Sequence, residues 1–344
     1  GTTGFVAQAA GRKNNAEVSL ALLRALALGL MLGVLVILFQ VPLGKVVFWL
    51  MGAGQDVTKS AETYFAIRIW SAPATFINYA VLGCLIGLQR MRSALLLQLV
   101  LNVSNMLLDL LFVIYFGMDT GGVAIASVLG ECLAAALGLW LLREVIRESF
   151  KGNESMTALW GRVVSPVVLK VIMRVNADLF VRSLVLTAAF FFFTSQSAQF
   201  GTVILAANAI LLNMLSMIAY GLDGFAHAAE ALVGGAYGAK NRRAFQLSVQ
   251  SSTVMAVFMA FLISVFYWIS GGAIIRLMTE ISEVIVVADE YLIWIIIAPL
   301  LAIWSYQMDG IFIGVTQTRD MRNTVVLAVV IYGGLVLLTV PVWG

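Results

Sequence analysis

Charge is what this sequence has least of. Only 11% of its 344 residues are Asp, Glu, Lys or Arg, against 61% hydrophobic residues. A soluble domain carries about 25% charged residues, so this chain cannot clothe a water-facing surface and the water-soluble classes are excluded. There is a single histidine, His227, which excludes a site assembled from several imidazoles. The two cysteines, Cys84 and Cys132, both sit in apolar runs, and no disulfide framework follows from them. The net charge of +3 is small, and the basic stripe that nucleic-acid binding requires is missing. An intramembrane hydrolase needs a nucleophile with its base, a metal pair or an acid dyad. His227 has no obvious Ser or Cys partner and the acids are scattered. No enzyme, metal site or cofactor is therefore expected. No signal peptide is expected either, because the first residues already follow a helical pattern.

What is present is a series of long apolar runs, at about 18–42, 64–88, 93–116, 121–142, 179–200, 202–226, 248–270, 291–316 and 323–343, with residues 1–10 as the tail of another. Each is long enough to cross a hydrocarbon layer of about 30 Å. Lipid requires internally satisfied backbone groups, so the runs predict helices. Lys and Arg then orient them. Fifteen of the 21 basic residues, from Arg12 and Lys13 to Arg319 and Arg322, fall in one alternate set of loops, and Arg24 and Arg182 are expected at helix ends on that side. This side is expected to be cytoplasmic. The 43–63 segment is expected as an external loop.

The chain repeats itself at a shift of 227. Gly11, Lys13 and Asn14 recur as Gly238, Lys240 and Asn241; Leu50 and Met51 as Leu277 and Met278; Tyr64 as Tyr291; Gly83, Gly87 and Arg92 as Gly310, Gly314 and Arg319. Ala72-Pro73 recurs as Ala298-Pro299, one residue out of step, which suggests a paired hinge or a shared cavity shape. The matches predict two parallel, pseudo-symmetric six-helix lobes, with about ten of twelve membrane helices represented and the first and last lacking. Parallel repeats of this kind occur in secondary transporters. The expected divisions are an incomplete first lobe at 1–142, a cytoplasmic linker at 143–178 and an incomplete second lobe at 179–344.

Several stretches then resemble the MATE multidrug transporters. Gly4-Phe5-Val6-Ala7-Gln8-Ala9-Ala10-Gly11 is similar to the end of their second helix, Asn102 through Asn105 to Asp109 to their fifth, and Gly122 to Ser127 to the start of their sixth. Asn176-Ala177-Asp178 with Arg182, Leu222 to Glu230, and Asp309 to Gly314 resemble the DinF-like branch. The resemblance implies an all-α, multi-pass protein of a bacterial inner membrane, its two lobes forming a V around a central cavity. It further implies antiport of organic, often cationic compounds against a transported H+ or Na+. The expected partners are small organic molecules and the lipid bilayer, with the protein acting as a monomer.

Acids inside hydrocarbon cost about 2.5–3.5 kcal/mol on insertion scales and are functional candidates by default. Asn102, Asn105 and Asp109 are spaced to share one helix face, and a carboxylate with two amides can hold a proton or a sodium ion. The resemblance places Asn105 and Asp109, with a hydroxyl at Ser127, in the ion-coupling site of the first lobe. Asp309 is expected mid-span, where the resemblance implies that it lines a substrate cavity, the alternative being a structural hydrogen bond; Glu131 is expected either to pair with a cation or to sit in the cavity. Asp223, His227 and Glu230 share one helical face and read as a structural polar cluster that Arg182 could join, or as a proton relay. Phe190 to Phe193 and Met214, Met217 and Met255 read mainly as lipid-facing packing, with an adaptable apolar wall as the alternative. Gly234 to Lys240 lacks the ending of a phosphate loop, and Asn153-Glu154-Ser155 matches a glycosylation pattern in an expected cytoplasmic segment. A lipid-linked precursor flippase is the nearest alternative function. It would need cavity arginines, and no mid-span basic residue is expected.

Overall fold

The computed structural model describes residues 1–51, 55–150 and 155–343. The repeat partners Leu50 and Met51, the basic residue Lys151 and Asn153 fall wholly or in their side chains outside the described residues. Among those described, every element is helical: α1 (Thr2–Gly11), α2 (Asn15–Leu38), α3 (Gln40–Met51), α4 (Gln55–Arg68), α5 (Ala72–Gly87), α6 (Met91–Asp109), α7 (Thr120–Leu141), α8 (Arg143–Glu148), α9 (Met156–Val163), α10 (Pro166–Gln199), α11 (Thr202–Gly238), α12 (Arg242–Met278), α13 (Ser282–Gly314) and α14 (Thr318–Trp343). Nine stretches of the described residues are long and apolar enough to cross a membrane, and they coincide with the nine apolar runs of the sequence. Two compact units divide the chain, Thr2–Leu169 and Lys170–Gly344, the latter together with Gly1.

Several helix boundaries differ from expectation. Within 43–63 the described residues are not loop: they belong to α3 and the first part of α4. Pro42 has no N–H to offer the carbonyl of Leu38, so α2 stops there and a second helix begins. The 143–178 segment is largely helical. In it, α8 docks on α2, where Ser19 Oγ donates to the Val145 carbonyl at 2.7 Å. Helix α9 seats Leu159 and Val163 against Leu20. Helix α10 starts at Pro166, which places Arg182 in mid-helix rather than at a helix end.

The 227-residue repeat is visible in local geometry. Among the described residues, the non-glycine residues with positive φ are Lys13, Gln89, Lys240 and Thr316, two pairs related by that shift. In each pair the same bonds close the preceding helix. The N–H of Lys13 reaches the carbonyl of Ala10, as Lys240 reaches Tyr237, and Gln89 reaches Ile86 as Thr316 reaches Ile313. Asn14 and Asn241 then cap the next helix, each accepting at 3.0 Å from the backbone N–H three residues on. Tertiary packing repeats as well. A Cβ on Gly87 would lie 2.7 Å from the carbonyl oxygen of Thr3, and one on Gly314 2.6 Å from that of Glu230; Thr3 and Glu230 are themselves equivalent. Glycine is required at both crossings because the backbones touch.

The paired prolines do not behave alike. Pro299 lies inside the continuous α13, whereas Pro73 follows a 3₁₀ turn at Ile69–Ser71 that separates α4 from α5. The first half has one residue more between its matched Tyr and Pro, and its helix departs from regular winding there.

Candidate functional site

In the first unit, α6 and α7 pack side by side and bring two of the expected ion-site residues together. Asn105 Nδ2 donates to Ser127 Oγ at 3.2 Å. Gly130, one turn further along α7, leaves room for Asn105: a Cβ there would stand 3.4 Å from Asn105 Cβ. Asp109, one turn beyond Asn105, is the last residue of α6, and its Oδ1 is buried without a hydrogen-bond partner. The chain then winds as a π-helix over Leu110–Tyr115, a wider turn that the sequence did not announce and that often marks functional positions. Asn102 does not join this group. It is exposed and returns its amide to the carbonyl of Gln98 at 2.8 Å.

Of its two expected arrangements, Glu131 takes the paired one and is not an open cavity acid. It accepts from Arg68 Nη2 at 3.1 Å and from Asn78 Nδ2 at 2.7 Å, while Arg68 also donates to Ser71 Oγ. Arg68 ends α4 but lies within the continuous candidate span Thr58–Gly87, so the expectation of no mid-span basic residue is corrected. Asn78 and Arg68 are the members of this cluster that sequence reasoning missed as partners. Glu131 follows Ser127 by one turn of α7, so the cluster adjoins the Asn105–Ser127 pair.

In the second unit, Asp309 lies five residues from the end of α13 rather than mid-helix. It accepts from Arg182 Nη2 of α10, with both side chains largely buried. Beside it Gly310 touches the backbone of Ala226, so closely that a Cβ would overlap the Ala226 carbonyl oxygen. One turn before Arg182, Asp178 accepts from Arg322 at 2.6 Å and from Thr318 Oγ1 at 3.0 Å. Asp223 is exposed on α11 and within electrostatic reach of Arg182 and His227. His227 Nδ1 lies 3.5 Å from Glu230 Oε2, and Glu230 is 4% exposed. The three-residue face therefore exists, with Arg182 at its edge.

Above this cluster, towards the α10–α11 turn, a cavity of about 930 Å³ is lined by Phe190, Phe193, Tyr291, Trp294 and Tyr332 among others. Met214 belongs to the core beside it rather than to a lipid-facing surface, while Met217 and Met255 are exposed. No group of three or more His, Cys, Asp or Glu side chains with metal-binding geometry occurs among the described residues.

Comparison with known proteins gives one answer. The MatE family model matches residues 1–111 and 178–336. DNA damage-inducible protein F of Escherichia coli (strain K12) is 34% identical over 340 residues, which is 99% of this chain and 73% of that protein. Protein DETOXIFICATION 42 of Arabidopsis thaliana is 25% identical over 68% of this chain and 45% of its own length. Among solved structures, MATE in complex with MaD5 superposes with a TM-score of 0.84 at 19% identity, covering 94% of this chain and 72% of that one. A MOP-superfamily transporter from Pyrococcus furiosus Vc1, for which a binding pocket of reverse polarity suggests a different function, superposes at 0.80 and 18% identity, over 94% of this chain and 72% of that one. The chain is a multi-pass membrane protein with the MATE fold, and it belongs to the MatE family, on the DinF-like side of it.

Proposed function

We propose that this protein is a secondary active antiporter of the bacterial inner membrane, exporting organic, cationic compounds in exchange for protons or sodium. It acts as a monomer, with the basic loops on the cytoplasmic side. The observation that carries the reading is Asp109: a carboxylate oxygen buried without a donor, one turn from the Asn105–Ser127 pair, at the start of a π-helical turn. A buried orphan acceptor is costly to leave unmatched, and a bound proton or sodium ion would match it. An antiporter needs ion and substrate to bias one conformational equilibrium in opposite senses. Charged, Asp109 orders the neighbouring dipoles; neutralised, it lets α6 and α7 repack and weakens the cation's site. Asn102 is exposed in this conformation and Glu131 is paired, so both are assigned to the surroundings of the ion site. Asp309 is assigned to the substrate.

The flippase alternative is disfavoured because Arg68 and Arg182 each carry an acidic partner and so offer no net positive field to an anionic headgroup. The test uses sealed vesicles with proton and sodium gradients imposed separately. Gradient-driven movement of a lipophilic cation supports the reading. Movement of a lipid-linked anion alone would replace it by the flippase.

A further inference from the structure

Asp309 and Arg182 differ in how firmly each is held. Asp309 stands on α13 at the tightest crossing of the unit, where Gly310 and Gly314 bring its backbone against Ala226 and Glu230 of α11. The acid cannot move without prising two helices apart. Arg182 stands on α10, a 34-residue helix of which only Val175, Asp178 and Ser197 are buried. Helix α10 is tied to its unit mainly by polar clamps: Asp178 to Arg322 and Thr318, Arg182 to Asp309, and Asn208 to Ser197 at the far end. Between the clamps it borders the aromatic cavity.

The two ion pairs on successive turns of α10 are unequal as well. Asp178 has both oxygens satisfied, at 2.6 and 3.0 Å. The Arg182 guanidinium is committed to Asp309 through Nη2, while its Nε is buried and has no partner. A guanidinium with unused buried donors is cheaper to displace than a fully bonded one. The surroundings favour a replacement cation: Asp223, Glu230 and Asp309 supply three carboxylates against the one guanidinium and His227.

We propose that Arg182 is a resident counter-cation that occupies Asp309 in place of transported substrate, so that an organic cation binds this acid only by displacing the guanidinium. Arg182 thereby sets the threshold of affinity and the selection for cations in the second unit. This deepens the reading of Asp309 as a substrate contact and rests on it.

The test is equilibrium binding to the purified protein, with tetraphenylphosphonium as a lipophilic cation and triphenylphosphine oxide as a neutral compound of similar shape. Arg182→Gln removes the competitor and is expected to tighten tetraphenylphosphonium binding at least tenfold, with the neutral compound within twofold of the parent. Arg182→Lys keeps a cation and is expected to stay within threefold of the parent for both. Arg182→Gln with Asp309→Asn removes both charges, leaves no buried charge unpaired, and is expected to lose the whole gain. A merely structural pair would shift cation and neutral compound together. Unchanged or weakened cation binding in Arg182→Gln, or a gain that survives Asp309→Asn, overturns the proposal. Failure of the export reading would show separately, as absence of gradient-driven flux in vesicles of the parent protein.

Discussion

Alanine at Gly314 or Gly87 tests whether the two helix crossings are one device used twice. The new Cβ would meet a backbone carbonyl oxygen at 2.6 Å in the first case and 2.7 Å in the second, where ordinary contact begins at 3.4 Å. A backbone oxygen cannot rotate aside, so the helices must part by about 0.7–0.8 Å, and overpacking of this kind costs about 1–3 kcal/mol. Alanine recovers up to about 1 kcal/mol of helix propensity over glycine. The expected net loss is about 1–2 kcal/mol at each position, and nearly the same at both. The control is Gly221→Ala, whose Cβ would meet only the tip of the Ile263 side chain at 3.2 Å and is expected to be neutral or slightly stabilising. Thermal unfolding in detergent reads all three, at about 2–4 °C per kcal/mol for a unit of this size. Gly314→Ala and Gly87→Ala melting like Gly221→Ala, or differing strongly from each other, would refute the reasoning.

Three further outcomes are expected. Arg68→Gln leaves Glu131 buried without its cation and lowers stability by about 2 kcal/mol, a figure reduced from that of a fully buried pair because Arg68 keeps some solvent contact; adding Glu131→Gln restores most of it in the same melting assay. Thr316→Gly relieves a β-branched residue held at φ +60° and raises stability by about 1 kcal/mol. Cysteines placed at Lys240 and Lys59, in a background without Cys84 and Cys132, report orientation: an impermeant thiol reagent outside intact cells should label the one at Lys59 and spare the one at Lys240.

The helical class, the nine spans and the repeat were legible because they rest on local signals. Apolar run length marks a span, and the Gly-x-Lys-Asn sequence at 11–14 and 238–241 marks a left-handed turn followed by a cap. Which cation pairs with which acid was not legible. Arg182 and Asp309 are 127 residues apart, and Arg68 and Glu131 are 63 apart, so no spacing rule connects them, and Arg182 read as a helix-end residue. Helix α10 hid Arg182 further by extending 13 residues beyond its expected start. The shared face of Asn102, Asn105 and Asp109 followed from helical periodicity. Which of its members turn inward depended on α7, and only Asn105 finds a partner there, in Ser127.

The central claim is that Asp109 carries the coupling ion. Its most direct test is gradient-driven uptake of a fluorescent lipophilic cation into inverted membrane vesicles, parent against Asp109→Asn, at matched protein levels and with unfolding profiles compared. The parent should accumulate the cation under a proton or a sodium gradient, and Asp109→Asn, folded and inserted, should accumulate none above the gradient-free level. Full gradient-dependent uptake by Asp109→Asn would contradict the account.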